Sequence, residues 1–345
     1  MSTTTTAAGT GTVRAGGGKK FVDLVLRLRE ASLIGVIIAL VVITEIGNPR
    51  FLSEQGVKDL LLNATILVLV AIGEAVVVIT RNVDLSVGSV LGIAAFACGA
   101  YLSSGGNAVV AVLIGLGVGG VFGVLNGLLV SLGRVPALVV TLGTLYIIRG
   151  VDAIFFGSRE TTASDLPGGF VSFGHDGLGP IPWLALLALV VLIAVGWFLR
   201  GYRSGRESYA LGSNPEAARL AGVPVRRRII AAYVLCGLLA GLAGALYLAR
   251  FGNVDSGTGT GFELTVVSAV VVGGVAFTGG SGSVYGAALG ALLLTSINSM
   301  LPSLGVSSVW EQAIDGFLLL LAIAVDRVVA LRVARALRRR NARHA

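Results

Sequence analysis

The chain has 345 residues, of which 55% are hydrophobic and only 13% are charged, and its formal net charge is +8. A soluble domain usually has about 25% charged residues, so this composition excludes an ordinary soluble protein and indicates a polytopic membrane protein. Glycine contributes 50 residues without a Gly-X-Y period, which is typical of closely packed transmembrane helices.

The sequence predicts no catalytic residue, no metal site and no cofactor bound by the chain itself. Cys98 and Cys236 lie inside apolar runs, which indicates buried packing residues. His175 and His344 have no partner set for catalysis or metal binding. The stretch 115–120 matches a dinucleotide fingerprint by letter, but it lies inside an apolar run with no strand before it, and no Walker A sequence occurs.

In chain order, residues 1–30 are predicted to be a disordered basic tail, and residues 31–327 a transmembrane domain. About ten apolar runs are candidate spans: 31–47, 62–80, 86–103, 108–132, 136–157, 181–200, 229–250, 263–279, 284–303 and 309–327. The third and eighth are short and rich in glycine, so each can be a broken or incomplete crossing. Residues 328–345 are predicted to be a basic C-terminal tail.

Charge placement predicts the orientation of these spans. Of the 26 basic residues, 19 lie before the first span, between Arg200 and Arg228, or between Arg327 and Arg343. The positive-inside rule places all three clusters in the cytoplasm. Ten crossings that start inside satisfy this placement, so we expect both termini to be cytoplasmic and the net acidic segment 157–180 to lie outside.

The polar loop 201–228 contains a short predicted helix with signals at both ends. Its residues are Ser213, Asn214, Pro215, Glu216, Ala217, Ala218, Arg219, Leu220 and Gly222. Ser213 or Asn214 can cap the N-terminus, and with Ser213 as the cap Glu216 would complete a capping box. Gly222 suits a left-handed C-cap. A capped helix between two spans indicates a docking element, with Glu216 and Arg219 as candidates for its polar contacts.

Five polar residues within or beside the spans are candidates for a gate or a pathway: Glu74, Asp84, Ser86, Asn126 and Asn298. Charged groups at membrane depth are unfavourable unless they are paired or face water, and Glu74 is predicted to lie mid-membrane. Asp84 can cap the third span, with Ser86 as the alternative cap, or it can pair with Arg81. Asn126 and Asn298 can instead bond between helices.

A weak internal repeat has an offset of 172 residues. Residues 126–133 align with 298–305, and the same offset maps the second to fifth spans onto the seventh to tenth. Five crossings separate the copies, so the halves would be inverted, as in many transporters; chance similarity in a Leu- and Gly-rich sequence is the alternative. Glycines at four-residue spacing indicate helix packing: Gly119, Gly123 and Gly127; Gly237 and Gly241; Gly282, Gly286 and Gly290.

Four stretches resemble the permeases of ATP-binding-cassette sugar importers, namely the ribose, xylose, galactose, arabinose and rhamnose permease family. These stretches are 82–89, 135–143, 211–222 and 272–283, and the resemblance covers residues 30 to 327. The chain departs from the family pattern at Arg81-Asn82, where the family commonly has Gly-Gly, and at Ser281, where it commonly has Arg.

The resemblance implies an all-α, vitamin-importer-like (type II) bundle of ten helices per subunit in the bacterial plasma membrane. It implies a second permease subunit, identical or different, an ATPase whose two nucleotide-binding domains hold ATP and Mg, and an extracytoplasmic sugar-binding protein. The 211–222 stretch resembles the segment that couples the permease to the ATPase. The expected function is import of a monosaccharide, pentose or hexose, by alternating access, without covalent chemistry in this chain. The alternatives are a branched-chain amino acid or nucleoside permease of the same superfamily, or an ion-coupled secondary transporter.

Overall fold

The computed structural model describes residues 16–155, 157, 160–307 and 309–324, with side chains from Glu30 onward. These residues are almost entirely helical. The helices are α1 Gly16–Gly47, α2 Glu54–Ile79, α3 Val87–Ser103, α4 Ala108–Ser131, α5 Ala137–Phe155, α6 Gly168–His175, α7 Trp183–Gly201, α8 Arg203–Ser213, α9 Pro215–Leu220, α10 Val225–Phe251, α11 Phe262–Val272 and α12 Val284–Ser303, followed by α13, described over 310–324. A 3-10 turn at Ala163–Asp165 and one antiparallel pair, β1 Gly177–Leu178 with β2 Ile181–Pro182, complete the fold.

Each of the ten predicted spans contains one of these helices, which confirms the prediction of an all-α polytopic membrane protein. Within the described residues, seven helices are long and apolar enough to cross a membrane by length and composition. The α3 helix is shorter but continuous over 17 residues. The predicted span 263–279 is broken, because α11 ends at Val272 and Gly274 has a φ of 96°.

The prediction of a disordered tail is wrong for residues 16–30, which form the first part of α1. The cause is cooperativity. Once the apolar helix beyond residue 30 has formed, each further residue adds one hydrogen bond without a new nucleation step. The stretch 21–28 contains no Pro or Gly that would stop this extension. Residues 1–15 and the predicted C-terminal tail 328–345 lie outside the described residues.

The core of the bundle is built around α2, which packs against α7, α10, α11 and α12. Its residues from Leu69 to Ile72 are completely buried. Apolar side chains on α4, α5 and α7, such as Val109, Tyr146 and Val190, are in contrast mostly exposed. Exposed apolar faces on long helices are what a lipid environment accepts, so these helices form the periphery.

Glycine packing brings α4 and α10 into backbone contact. A Cβ atom at Gly119 would overlap the carbonyl oxygen of Gly237, and one at Gly241 would overlap that of Gly115. Only glycine allows this approach, so the predicted packing role is confirmed for α4 and α10. The third predicted glycine set is wrong in one member, because Gly282 precedes α12 and has a φ of 117°.

The internal repeat is confirmed by the helix boundaries. Adding 172 to the bounds of α2, 54 and 79, gives 226 and 251, and α10 runs from Val225 to Phe251. Arg250, at the end of α10, forms an ion pair of 2.8 Å with Asp59, near the start of α2, so the two helices are antiparallel. The same offset maps α4 onto α12. The contact of α4 with α10 in one half is therefore repeated as the contact of α12 with α2 in the other, as two inverted repeats require.

The contacts also define two ends of the bundle. At one end, which we call the docking end because it carries the predicted docking helix, the N–H of Gly280 donates to the carbonyl of Ile79 at 2.9 Å, and the Tyr209 hydroxyl donates to the carbonyl of Gly282 at 3.1 Å. At the opposite end, the Asn48 side chain donates to the carbonyl of Ser303 at 3.4 Å. The loop that carries α8 and α9 therefore lies beside the junctions α2–α3 and α11–α12.

Candidate functional site

The short helix α9 is capped by Asn214. The Oδ1 atom of Asn214 accepts hydrogen bonds from the N–H groups of Glu216 at 3.1 Å and Ala217 at 3.0 Å. Ser213 is the last residue of α8 and does not cap α9, so the alternative of a Ser213 capping box is wrong. The physical reason is that α8 continues through Ser213, and only Asn214 adopts the extended backbone that a cap needs.

The C-terminal end of α9 has the predicted left-handed glycine. Gly222 has a φ of 78°, and its N–H donates to the carbonyl of Arg219 at 3.0 Å. The N–H of Val223 donates to the carbonyl of Ala218 at 3.0 Å. These two bonds form a Schellman motif, which satisfies carbonyls that the end of a helix leaves free.

The surface of α9 is exposed on most sides. Leu220 is 87% exposed, whereas Ala218 is 4% exposed and anchors the helix. Glu216 and Arg219, the predicted polar contacts, form an ion pair with each other at 2.9 Å, and both side chains are about 70% exposed. An exposed pair of this kind contributes less than about 1 kcal/mol, so both groups are free to exchange partners.

The α8 helix holds α9 against the bundle. The carboxylate of Glu207 accepts from Nε of Arg203 at 2.7 Å and from Nε of Arg228, on α10, at 2.8 Å. The hydrogen bond from Arg203, with a further contribution from Arg228, lowers the pKa of Glu207 below its ordinary value. Gly212 lies against the carbonyl of Ile79 and the backbone of Gly280, where a side chain would not fit. Movement of α8 is therefore passed directly to the α2–α3 junction and to the loop before α12.

Four of the five predicted gate residues meet in one buried network, which we call the Asp84 network: Glu74, Asp84, Ser86, Asn126, Thr144 and Cys236. Glu74 accepts from the N–H of Asp84 at 3.1 Å and from the Cys236 thiol at 3.7 Å. Asp84 accepts from the N–H of Ser86 at 2.9 Å and from its hydroxyl at 2.6 Å. The N-cap position of α3 is held by Ser86, the alternative cap, whose own side chain makes no capping bond, while Asp84 bonds to Ser86. No ion pair between Asp84 and Arg81 forms in the described part of the chain.

Asn126 joins the α4 and α5 helices to this network. Its Nδ2 donates to the Ser86 hydroxyl at 2.9 Å and to Oδ1 of Asp84 at 3.4 Å, while its Oδ1 accepts from Thr144 at 2.7 Å. The interpretation of Asn126 as an interhelical hydrogen-bonding residue fits this geometry. Sequence reasoning missed Thr144 and the role of Cys236, because a threonine or a cysteine in an apolar span gives no signal of its partners.

The fifth gate candidate, Asn298, lies elsewhere, in a cleft of about 590 Å³ at the opposite end. The cleft is formed by α2, α10, the loop before α11, α11, α12 and α13. Its polar lining residues are Asn63, Tyr247, Thr260, Thr265, Thr295, Asn298, Ser299, Glu311, Gln312 and Asp315. No Lys, Arg or His occurs among its described lining residues, so the cleft has an acidic character.

Two hydrogen-bond acceptors of the residues that line this cleft are unpaired within the described chain. Oδ1 of Asn298 and Oδ1 of Asp315 are buried and have no hydrogen-bond partner among the described residues, although the Thr265 hydroxyl donates to the other carboxylate oxygen of Asp315 at 3.0 Å. Buried acceptors are normally satisfied, so these two atoms call for donors from water or a ligand. The rings of Tyr247 and Phe251 supply flat apolar surface in the same cleft. The arrangement suits a small polyhydroxylated molecule.

A loop at the edge of the cleft is held by Arg149 of α5. Its Nη1 donates to the carbonyl of Thr258 at 2.8 Å, and it lies 3.5 Å from the carbonyl of Ser256. Within the described residues, Oδ1 of Asp152, on the same helix as Arg149, and Oε2 of Glu263, on α11, are buried without a hydrogen-bond partner. Sequence reasoning did not single out Arg149, whose partners are backbone carbonyls more than 100 residues away.

Comparison with known proteins gives a consistent result. The family model described as "Branched-chain amino acid transport system / permease component" matches residues 56–323. The chain is 37% identical over 302 residues to the autoinducer 2 import system permease protein LsrC of Enterobacter sp. (strain 638), covering 87% of each chain. It is 33% identical over 316 residues to the ribose import permease protein RbsC of Escherichia coli (strain K12), covering 90% of this chain and 97% of that protein. No solved structure matches.

Proposed function

The chain belongs to the family of permease components of branched-chain amino acid transport systems, and from this premise we propose that it is the membrane-spanning subunit of an ATP-binding-cassette importer of a monosaccharide. Relatives that import ribose and autoinducer 2 support import as the direction of transport. The observation that carries the sugar assignment is the polar cleft with its unpaired acceptors.

The cleft favours a pentose or hexose over a branched-chain amino acid. Sugar hydroxyls are donors that would satisfy Asn298 and Asp315, and the face of a sugar ring packs well on Tyr247 or Phe251. An amino acid carries a carboxylate, which would need a cation or a helix N-terminus to replace its water. The described lining offers no basic side chain, and the two helix N-termini beside it, those of α11 and α13, carry Glu263 and Glu311 in their first turns. These charges oppose a carboxylate there and would attract only the ammonium group of an amino acid.

The exposed helix α9 is our candidate for the ATPase docking element. Its capped ends keep six residues helical, and its exposed Leu220, Glu216 and Arg219 offer one apolar and two charged contacts. In this proposal, ATP and Mg bind to the two nucleotide-binding domains of a partner ATPase, and this chain catalyses no reaction. A second permease subunit completes the pore, and an extracytoplasmic binding protein delivers the sugar.

The transport mechanism follows from the rigid link between α9 and the bundle. ATP-driven closure of the ATPase moves α9, and the Glu207 ion pairs carry that motion to α8 and α10. The contact of Gly212 with Ile79 and Gly280 then shifts the α2–α3 junction relative to α12. Rocking of packed helices would open the bundle alternately to each end. The basic clusters support a plasma-membrane orientation with both termini and α9 in the cytoplasm.

Uptake measurements test the substrate assignment. We expect proteoliposomes that contain the permease, its ATPase and its binding protein to accumulate a pentose or hexose only with ATP. Asn298→Leu should lower uptake by up to about tenfold, because one net hydrogen bond in the cleft is lost. Gln55→Leu, an exposed change at the same end outside the cleft, should have no effect. Uptake of leucine, or uptake without ATP and ATPase, would overturn the proposal.

Coupling measurements test the docking helix. Glu216→Lys places a like charge beside Arg219 and should uncouple ATP hydrolysis from uptake while membrane insertion is unchanged. Arg226→Glu is a matched control, because it also reverses one charge of the basic loop at an exposed position outside α9. Normal coupling in the Glu216 variant, or equal loss in both, would refute docking through α9.

A further inference from the structure

A second concave surface lies at the docking end. Apart from Arg228, whose bond to Glu207 links α8 to α10, its lining residues have no role in the proposed transport path. It is a groove of about 320 Å³ between α7 and α10, floored by α2 and closed at one end by α8. Its walls are apolar and include Val195, Phe198 and Leu235, whereas its α8 end carries Ser204, Ser208 and Arg228. We call this surface the α7–α10 groove. Polar groups at one end and apolar walls along its length match an amphiphile.

The charge at the end of the groove is positive and incompletely neutralised. Arg228 is 26% exposed and uses Nε for Glu207, while Arg203 shares the same carboxylate. Two guanidinium groups and one carboxylate leave a net charge of +1. In the described part of the chain, Glu207 is the only partner of Arg228, so the donors at its two terminal nitrogens remain available. The Ser208 hydroxyl is already used on the carbonyl of Ser204, which leaves the Ser204 hydroxyl as a further donor.

We propose that the α7–α10 groove binds one anionic phospholipid, with its phosphate on Arg228 and Ser204 and an acyl chain along Val195, Phe198 and Leu235. Arginine presents a planar fork of donors that matches phosphate oxygens. The seven Arg between residues 200 and 228 add a field that attracts anionic headgroups to this end of the bundle. The exposed apolar residues of α7 that flank the groove, Ile193 and Trp197, indicate that it opens toward lipid.

Lipid retention by the intact permease–ATPase complex tests this site. Native mass spectrometry would compare phosphatidylglycerol with phosphatidylcholine of the same acyl chains. We expect selective retention of phosphatidylglycerol, and Arg228→Gln should weaken it about tenfold or more, as expected for a lost charge-assisted contact. The control Arg227→Gln removes the same charge at an exposed position outside the groove and should weaken it by at most about fivefold through the long-range field.

A second variant distinguishes lipid binding in the groove from an effect on the Arg228–Glu207 ion pair. Ala231→Phe fills the groove wall and leaves Arg228 and Glu207 unchanged, so it should release the lipid without loss of assembly. Equal retention of phosphatidylcholine would overturn the headgroup assignment. Equal effects of the Arg228 and Arg227 variants would overturn the specific phosphate contact, because they would show that only the overall positive charge attracts the lipid. Disulfide cross-linking between two copies through Ala194→Cys would show that a second permease, not lipid, covers the groove.

Discussion

Asn126→Leu is the sharpest test of the Asp84 network. Asn126 is 1% exposed and makes three side-chain hydrogen bonds that join α4 to α5 and to the α2–α3 junction. Leucine has a similar shape and none of these bonds. An interhelical hydrogen bond in a membrane protein contributes about 0.6 kcal/mol on average, so three bonds give about 2 kcal/mol.

The former partners of Asn126 can satisfy their hydrogen bonds elsewhere, which limits the loss of stability to about 2 kcal/mol. The single proton of the Thr144 hydroxyl serves Asn126, but the carbonyl of Val140 lies 3.0 Å away and would accept it in the variant. Asp84 keeps both bonds from Ser86, so no buried donor is left without an acceptor. A loss of about 2 kcal/mol lowers the folding equilibrium constant roughly thirtyfold. Unfolding titrations in mixed micelles, followed by circular dichroism, would measure this change.

The internal repeat supplies the matched control for this variant. Asn298 occupies the equivalent position, 172 residues later, but its Oδ1 has no partner in the part of the chain that the structure describes. We therefore expect Asn298→Leu to change stability by less than about 0.5 kcal/mol while it impairs uptake. Equal stability losses in the two variants, or a loss below about 0.5 kcal/mol for Asn126→Leu, would refute the argument that the network holds the α2–α3 junction.

Three further outcomes are expected. Gly119→Leu should abolish folding, because the leucine side chain would overlap the backbone of α10. Gly117 has open space around it, so Gly117→Leu should express normally and transport normally in an uptake assay. Arg149→Gln should raise hydrogen exchange at Thr258 and its neighbours about tenfold, since a charged hydrogen bond to the loop is lost. Because the pKa of Glu207 is lowered in the folded protein, its ion pairs stabilise α8 at any pH above the ordinary Glu range and are lost as pH falls through the lowered pKa. Protease accessibility of α8 should therefore be constant from pH 6 to 8, a range that begins about two units above the ordinary Glu pKa. It should rise only in strong acid.

Much of the fold could be predicted because hydrophobic periodicity and end signals act locally. The helix α9 has its capping residue, its first-turn Pro and its terminal glycine within nine residues, and the structure departs only in the choice between Ser213 and Asn214. Span lengths follow from the thickness of the hydrocarbon core, so ten apolar runs correspond to ten helices. The break after Val272 could also be anticipated from the glycines that follow it.

The sites could be predicted only in part, because their partners are distant in sequence. Glu74 was expected to need a partner, but nothing in its own span indicates Cys236, 162 residues away. Asn126 and Asn298 look equivalent in sequence, yet among the described residues the Oδ1 atom of Asn126 has a partner and that of Asn298 has none. The cleft likewise depends on Thr265 and Asp315, which lie 50 residues apart and come together through packing of α11 and α13. Long-range packing determines these contacts, and no local sequence pattern predicts which residues it brings together.

The two repeats differ at the place where an alternating-access transporter should be asymmetric. In the first repeat, the α2–α3 junction is closed over a network in which Asn126 has its partners. In the second, the equivalent α10–α11 junction borders an open cleft in which Asn298 has an unpaired oxygen. Since the repeats are inverted, the closed junction lies at the docking end and the open one at the opposite end. If the same bonds closed both junctions, neither end of the bundle would be favoured for opening. We interpret the unequal use of the two matched asparagines as the asymmetry between the two ends that a motor at the docking end would act on.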